Sequence, residues 1–337
     1  MESNAPHGEP AASPGGGAAQ ARATAIPLLL HIGYHKTGST WLQRAVFDNA
    51  ERSFTTDTGE PRHALIHDFV LPDALAYDAE HVRGKFAAAR AGALAQGETL
   101  VLSHERLSGY PSSGGHDRRM IADRLRETFP DARILIVIRE QRALIRSMYS
   151  QHITDGGTER LERFLHRPEP GLGRKPWFDP AFYAFDRLIA YYRGLFGADR
   201  ILALPFELLV HDPQFFVDRL AAFCGHASLP LGPVNRENDR RPLLMQAVQR
   251  RLNALFYDNE LSPGALIPIP RFAKRFGLLR GLFDACSPRF IERRMDARLV
   301  NYIAAYAGDR FRESNGRTSR MIGIELGDYG YAMPLKG

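Results

Sequence analysis

The stretch from Leu28 to Trp41 constrains this chain more than any other part of its sequence. An apolar run ends at Gly33, a turn rich in Gly, Thr and Ser follows, and a helical pattern begins at Trp41. A strand, a tight loop and a helix N-terminus in this order direct backbone N–H groups and the positive end of a helix dipole to one point. The stretch therefore predicts an anion-binding loop.

The position of the lysine separates this loop from the usual nucleotide-binding loop. A Walker A loop carries its lysine directly after the second glycine. Here Ser39 follows the second glycine, Gly38, and the lysine comes two residues before that glycine, at Lys36. A cation at this place does not reach the β- and γ-phosphates of ATP in the Walker manner. The spacing therefore disfavours NTP hydrolysis and favours another anionic, phosphate-bearing donor.

The loop resembles the 5′-phosphosulfate loop of sulfotransferases that use 3′-phosphoadenosine 5′-phosphosulfate (PAPS). In that family a strand leads into Pro or His, then Lys, a hydroxyl residue, Gly, two hydroxyl residues and a large residue. The matching residues are His35, Lys36, Thr37, Gly38, Ser39, Thr40 and Trp41. The resemblance implies that this loop holds the donor, that Lys36 neutralises the bridging oxygen, and that Ser39 and Thr40 hold the 5′-phosphate.

A second anion-binding pattern follows the apolar run 133–138, which is typical of a buried parallel strand. Arg139, Ser147 and Tyr149 reproduce the spacing of the family's 3′-phosphate site, an Arg with a Ser eight residues on and often a Tyr two beyond. A planar arginine fork and a hydroxyl suit a phosphate dianion. An arginine after a strand commonly pairs locally, so the assignment depends on the first loop.

The family usually adds a third donor contact from a basic loop late in the chain. The segment 235–241 reads NRENDRR and is the candidate. It departs from the Arg-Lys-Gly pattern of the animal cytosolic enzymes, so both Arg240 and Arg241 stay as candidates. The resemblance covers residues 26–225 well, whereas 230–319 match mainly by position and composition.

A general base must take the proton of the acceptor group, and His104 and Glu105 after the strand 99–103 are the candidates. Neighbouring strand residues point to opposite faces, so we expect only one of them to reach the acceptor. Some family members use a His near this strand end and others a Glu. The resemblance favours Glu105, because bacterial relatives commonly carry Ser-Ser-Glu at Ser103-His104-Glu105. A turn cap or a surface polar residue is the alternative, and Glu207 matches a Glu that supports the family's fold.

Strands alternate with helices along the chain, which predicts an α/β fold with a three-layer parallel sheet, helices on both faces and a P-loop-like nucleotide-binding arrangement. Ligands bind outside the carboxyl ends of the strands in such sheets. We therefore expect Lys36, Glu105 and Arg139 at one edge. The predicted strands are 28–32, 99–103, 133–138 and 200–204, and the predicted helices are 39–47, 79–96, 117–129, 141–153, 182–196, 213–223, 243–259 and 291–307.

We expect a single domain over residues 26–312, helical and basic from about 242, between a disordered tail (1–25) and a C-terminal tail (313–337). The 337 residues, 44% of them hydrophobic, suffice for one large core. No apolar run approaches the ~18 residues of a membrane span, and the N-terminus lacks a signal-peptide pattern. With two distant cysteines, a disulfide scaffold is disfavoured and a reducing, cytoplasmic location is expected.

Positive charge is concentrated in the last hundred residues of a chain whose net charge is +6. The basic positions are Arg240–Arg241, Arg250–Arg251, Arg271, Lys274, Arg275, Arg280 and Arg289–Arg298. They form solvated helix faces or a field that attracts an anionic donor or acidic acceptor. Nucleic acid is disfavoured, because no reader motif is present. His63 and His67 could share a helix face, but with no third ligand nearby we expect no metal site.

The resemblance implies transfer of a sulfuryl group from PAPS to a hydroxyl or amine of a small-molecule, carbohydrate or lipid acceptor, with release of adenosine 3′,5′-bisphosphate and no metal. A nucleotide kinase or NTPase would need a lysine directly after Gly38 and a Walker B-type aspartate, and neither is present. A non-catalytic nucleotide-binding protein would need no base, which His104 and Glu105 argue against. The acceptor and the oligomeric state stay open.

Overall fold

A computed structural model describes residues 28–49, 53–166, 178–227, 231, 241–258, 261, 264–269 and 272–335. The expected N-terminal tail and Arg240 lie outside these residues. The strands are β1 (Leu29–His31), β2 (Phe54–Thr55), β3 (Thr99–Ser103), β4 (Arg133–Ile138) and β5 (Ile201–Pro205). They form one parallel sheet in the order β2-β3-β1-β4-β5.

The helices account for most of the remaining described chain. They are α1 (Ser39–Leu42), which continues as a π-helix (Gln43–Phe47), α2 (Ala64–Phe69), α3 (Ala79–Ala95), α4 (Arg118–Thr128), α5 (Gln141–Thr154), α6 (Leu161–Leu165), α7 (Phe185–Phe196), α8 (Phe206–His211), α9 (Pro213–Cys224), α10 (Leu243–Phe256), α11 (Phe272–Gly277), α12 (Arg280–Cys286), α13 (Arg289–Ala307) and α14 (Arg312–Ile322). Short 3₁₀-helices lie at Glu105–Ser108, Pro111–Ser113, Pro180–Tyr183, Ala198–Arg200 and Leu326–Tyr329. Within the described part of the chain, no helix is both long and apolar enough to cross a membrane.

The two faces of the sheet bury two different cores. In β1, Leu30 faces the larger core and Leu29 the smaller one; in β4, Ile134 and Leu135 divide in the same way. This alternation follows from the two-residue period of a strand. Helices α3, α4, α5 and α7 contribute to the larger core, and α1, α8 and α9 to the smaller one. The predicted three-layer α/β fold is confirmed.

The central position of β1 fixes where a site can form. Leu30 pairs with Leu102 of β3 on one side and with Ile134 of β4 on the other. The chain passes from one side of β1 to the other between β3 and β4, so the end of β1 is a topological switch point. The loop after β1 therefore lies between the ends of β3 and β4.

The four predicted strands are present. The fifth strand, β2, was not predicted, because two residues are too few to form a recognisable pattern. The predicted helix at 117–129 is α4. Asp117 directly before it accepts no capping hydrogen bond, and its carboxylate pairs with Arg106 at 2.5 Å. The short helices α2, α6, α8, α11 and α12 were not predicted, because each spans two turns or fewer.

Residues 313–337 are predicted to form a tail, whereas much of this segment packs into the folded domain. Asn315 of α14 is fully buried and exchanges amide hydrogen bonds with Gln141 of α5. Leu326 is also fully buried. The buried face of α14 is built from small polar residues that form hydrogen bonds with other residues of the domain. A pattern of hydrophobic residues therefore does not reveal this helix in the sequence.

Candidate active site

The loop after β1 turns through two residues with left-handed backbone conformation, Lys36 (φ 65°) and Gly38 (φ 83°). A side chain at Gly38 could not be accommodated, because its Cβ would lie 2.9 Å from Cε2 of Phe206. The buried Thr37 hydroxyl closes the turn by donating to the Tyr34 carbonyl at 2.5 Å. The sequence folds here into a tight turn that delivers the chain directly into α1.

The side chains of the loop divide between the surface and the interior. Lys36 and Thr40 are exposed, His35 and Ser39 are half-buried, and Trp41 packs against the smaller core. The Ser39 hydroxyl is buried and finds no hydrogen-bond partner among the residues that the structure describes. A cation, backbone N–H groups at a helix start and an unsatisfied hydroxyl suit an anionic ligand.

Arg139 lies against this loop. Its Nη1 donates to the carbonyl oxygen of Lys36 at 2.8 Å, although the two residues are 103 positions apart in the chain. The guanidinium also stacks over the Phe206 ring, 4.7 Å from its centroid. Phe206 thus contacts both Gly38 and Arg139, a role that no sequence pattern signalled. The structure brings together the two predicted anion-binding elements at the ends of β1 and β4.

Ser147 and Tyr149 of α5 occupy different environments. Ser147 is half-buried, whereas Tyr149 is a core residue whose hydroxyl donates to the Glu159 carbonyl at 3.2 Å. Burial raises the pKa of Tyr149 to about 12. Because a helix advances about 100° per residue, positions two apart point roughly 200° apart. The two side chains therefore leave the helix on nearly opposite sides.

Arg241, the described member of the late basic pair, lies near the same end of the sheet. Its Nη1 donates to Oε1 of Gln249 at 3.2 Å. Burial raises the pKa of Asp155 at the end of α5, and the positive charges of Lys36 and Arg241 both oppose that rise. The positive charges of Lys36 and Arg241 thus both lie close enough to Asp155 to lower the pKa of its carboxyl.

The base candidates follow β3 beside the loop. His104 accepts a hydrogen bond at Nδ1 from the Arg106 backbone N–H at 3.0 Å. Burial lowers the pKa of His104, so the ring is neutral near pH 7 and carries its proton on Nε2. In this tautomer Nε2 already carries a proton and cannot take one from a bound substrate.

Glu105 faces several imidazoles. Burial alone would raise the pKa of its carboxyl, but its own backbone N–H and the neighbouring His104, His35 and His31 lower it, and the pKa lies below its ordinary value. Burial lowers the pKa of His31 and of His35 to about 4, so both rings are neutral near pH 7. At that pH the hydrogen bond from its own backbone N–H is the contact that favours the charged form of Glu105. Glu105 is therefore an ionised carboxylate near the loop after β1.

A cavity of about 200 Å³ opens beside the end of β3. Its polar lining includes Thr56, Thr58, Glu60, Arg62 and Ser103. Arg62 Nη1 donates to Gln43 Oε1 at 2.9 Å, and Gln43 Nε2 donates to Ser103 Oγ at 2.9 Å. The π-helical turn that follows α1 thus connects the loop to the cavity wall. Among the described residues, no group of His, Cys, Asp or Glu could hold a metal ion.

Glu207 joins three parts of the chain behind Arg139. Its Oε1 accepts from the Glu140 backbone N–H at 3.0 Å and its Oε2 accepts from the Tyr331 hydroxyl at 2.9 Å. Burial raises the pKa of Glu207, against these hydrogen bonds and the nearby Arg139 charge. The carboxylate holds the backbone directly after Arg139 and fastens the C-terminal segment to it.

We expect Tyr331→Phe to lower the free energy of unfolding by about 1.5–3 kcal/mol, because the half-buried Glu207 carboxylate loses a hydrogen bond. Tyr329→Phe is the matched control, since that hydroxyl makes no hydrogen bond with any described residue and its ring is half-exposed. Urea unfolding of both variants measures the difference. Equal, small effects would show that the Tyr331–Glu207 bond does not stabilise the fold.

Comparison with known proteins places this site in context. A model described as the sulfotransferase family matches residues 119–229, a segment that contains Arg139 and Glu207 but begins after the Lys36 loop. No curated protein matches the chain significantly.

Solved structures give weak likenesses. A sulfotransferase from Alicyclobacillus acidocaldarius is 22% identical, with a TM-score of 0.47, over 68% of this chain and 95% of that one. The sulfotransferase domain of the curacin biosynthetic pathway is 15% identical, with a TM-score of 0.36, over 92% and 99%. That of the Synechococcus PCC 7002 olefin synthase is 16% identical, with a TM-score of 0.36, over 78% and 96%.

The family match falls on the part of the chain that carries β4, Arg139, α5 and β5. These are the elements that form one side of the candidate site. In this segment, which is about a third of the chain, the protein is similar to the sulfotransferase family.

Proposed function

We propose that this protein transfers a sulfuryl group from PAPS to a hydroxyl or amine acceptor. The observation that carries the proposal is the hydrogen bond from Arg139 to the Lys36 carbonyl. It joins a loop suited to a 5′-phosphosulfate to an arginine suited to a 3′-phosphate. A nucleotide with anionic groups at both ends of its ribose fits such a pair better than one phosphorylated at the 5′ end alone.

The residues present fit this donor. The Ser39 hydroxyl is buried and lacks a partner in the described chain, and a bound phosphate oxygen would supply one. The loop requires glycine at Gly38, because Phe206 fills the space that a side chain would occupy. Lys36 is exposed at the turn, where its ammonium can meet a bound anion.

PAPS, when bound, supplies the sulfuryl group and a phosphate leaving group. The bond from sulfur to the bridging phosphate oxygen breaks, the bond from sulfur to the acceptor atom forms, and the phosphate keeps the electron pair. We assign Lys36 to the negative charge that grows on the leaving oxygen. We assign Glu105 to the proton that the acceptor releases. The protein otherwise positions the two reactants, as in loose phosphoryl transfer.

We place the acceptor on the side of the cavity beside β3. The cavity adjoins Ser103, directly before His104 and Glu105. The charge of Arg62 in its wall helps to lower the pKa of His104, so the cavity and the base candidates are electrostatic neighbours. An acceptor hydroxyl held there would lie on the Glu105 side of the loop.

Arg139→Ala should weaken binding of adenosine 3′,5′-bisphosphate by about 1.5–3 kcal/mol, the usual value of a charge-assisted hydrogen bond. It should barely change binding of AMP, which lacks the 3′-phosphate. Titration calorimetry without metal measures both affinities. Arg187→Ala is the control, since Arg187 is exposed on α7 and its side chain makes no polar contact with the described residues.

Two results would contradict the proposal. Equal losses for both nucleotides would remove Arg139 from a 3′-phosphate site. Binding of ATP with magnesium as tight as that of PAPS would favour a nucleotide kinase or NTPase. Transfer itself is tested with labelled PAPS and a panel of carbohydrate, lipid, phenol and amine acceptors, and nucleotide binding without transfer would favour a non-catalytic binding protein.

A further inference from the structure

The C-terminal helices expose an unusual concentration of large apolar side chains. Of the thirteen large hydrophobic residues that the described chain exposes, four lie between residues 278 and 290. Leu278 is 81% exposed, Leu282 59% and Phe290 72%, and Leu279 is also exposed. Single exposed leucines are ordinary, but a cluster of this kind marks an interaction surface.

This exposure is not a packing defect. One side of α11 and of α12 is packed against the domain, because Phe276 and Phe283 form a small core with Met245 of α10. The helices are therefore seated on the domain by one side. Leu278 between α11 and α12, Leu282 of α12 and Phe290 at the start of α13 are exposed to solvent.

Arginines share this outer surface. On α13, Phe290, Arg293, Arg294 and Arg298 recur at the spacing of one helix face, and all four are exposed. Arg289 precedes them and is exposed as well. None of these four arginines forms an ion pair with another residue that the structure describes. We call these arginines, together with Leu278, Leu279, Leu282 and Phe290, the apolar–basic face.

The acidic residues of α13 do not neutralise this face. Glu292 accepts hydrogen bonds from the backbone N–H groups of Leu243 and Leu244 at 2.8 and 2.9 Å. Asp296 pairs with Arg146 of α5. Both carboxylates are directed to the domain, so the outward charge is positive.

We propose that the apolar–basic face docks on an anionic phospholipid membrane surface. Such a surface offers both partners that the face requires, an apolar layer for the leucines and Phe290 and negative headgroups for the arginines. A second copy of the chain is disfavoured, because two such faces would bring unpaired arginines together. Nucleic acid would match the arginines but leave the leucines in water. The inference does not depend on the proposed activity.

Co-sedimentation with vesicles tests the proposal. The full-length protein should bind vesicles of phosphatidylcholine with phosphatidylglycerol, bind phosphatidylcholine alone far more weakly, and be released by salt. Arg289→Gln/Arg293→Gln/Arg294→Gln should weaken binding to anionic vesicles by about 100-fold, from roughly 1 kcal/mol per basic residue near the surface. Leu278→Ser/Leu282→Ser/Phe290→Ser should weaken it at least about tenfold through lost apolar insertion.

A matched control carries Leu71→Ser, Leu75→Ser and Arg187→Gln, which are exposed residues elsewhere on the molecule. It should bind vesicles like the wild type, and all variants should melt at the wild-type temperature. Three results would overturn the proposal: no binding to anionic vesicles at low salt, equal losses in the control, or a dimer in gel filtration that the leucine variant abolishes. Binding of duplex DNA in place of vesicles would overturn it as well.

Discussion

Lys36→Ala should lower kcat by about 10²–10³-fold, the usual effect of removing one group that stabilises transition-state charge. The affinity for adenosine 3′,5′-bisphosphate should fall much less, because the charge that Lys36 meets grows only as the leaving oxygen separates. Single-turnover rates with labelled PAPS and calorimetry with the product nucleotide measure the two effects. Lys36→Arg should also be impaired, since a broad planar fork does not replace a compact ammonium in a tight turn.

The backbone of Lys36 supplies a control that separates chemistry from folding. Its φ of 65° lies in the left-handed region, where a side chain costs about 1–2 kcal/mol and glycine costs little. Lys36→Gly should therefore be at least as stable as Lys36→Ala in urea unfolding, yet equally slow. If Lys36→Gly or Lys36→Ala kept near-normal turnover, Lys36 would have no part in the mechanism and the loop would be a simple turn.

The fold was predictable because its signals are local. Each long strand is an apolar run with alternating faces, and the longer helices show a local pattern, with the exception of α14, whose buried face is polar. The position of Lys36 relative to Gly38, and of Arg139 at a strand end, is likewise local information. Their meeting at one edge then followed from the rule that parallel strands end together.

The parts that could not be predicted depend on partners far apart in the chain. Tyr331 and Glu207 are 124 residues apart, and only the folded sheet shows that they meet behind Arg139. Phe206 gains its role from contacts with Gly38 and Arg139 that no spacing encodes. The opposite directions of Ser147 and Tyr149, in contrast, follow from helix geometry alone and were available from the sequence.

The structure also changes how the base can be identified. An ordinary His base would lose activity near its pKa of about 6.5 and a Glu base would not. A base must be unprotonated, so a lower pKa extends activity to lower pH, and burial lowers the pKa of His104 as well. The acid limb of the pH–rate profile is therefore expected below pH 6.5 for either residue. The profile alone does not distinguish them, and substitutions must.

Glu105→Gln should lower kcat by about 10²–10⁴-fold, the range of a lost general base, while donor binding survives because glutamine keeps the size and hydrogen bonding. His104→Asn should be far milder. The asparagine oxygen can still accept a hydrogen bond from the Arg106 N–H, and Nε2 of the native histidine already carries a proton, so it cannot accept the proton of the acceptor. Single-turnover transfer at saturating PAPS, with calorimetry of the product nucleotide, separates the two variants. A dead His104→Asn beside an active Glu105→Gln would exchange the roles. Two active variants would place the base elsewhere or show that the acceptor needs none.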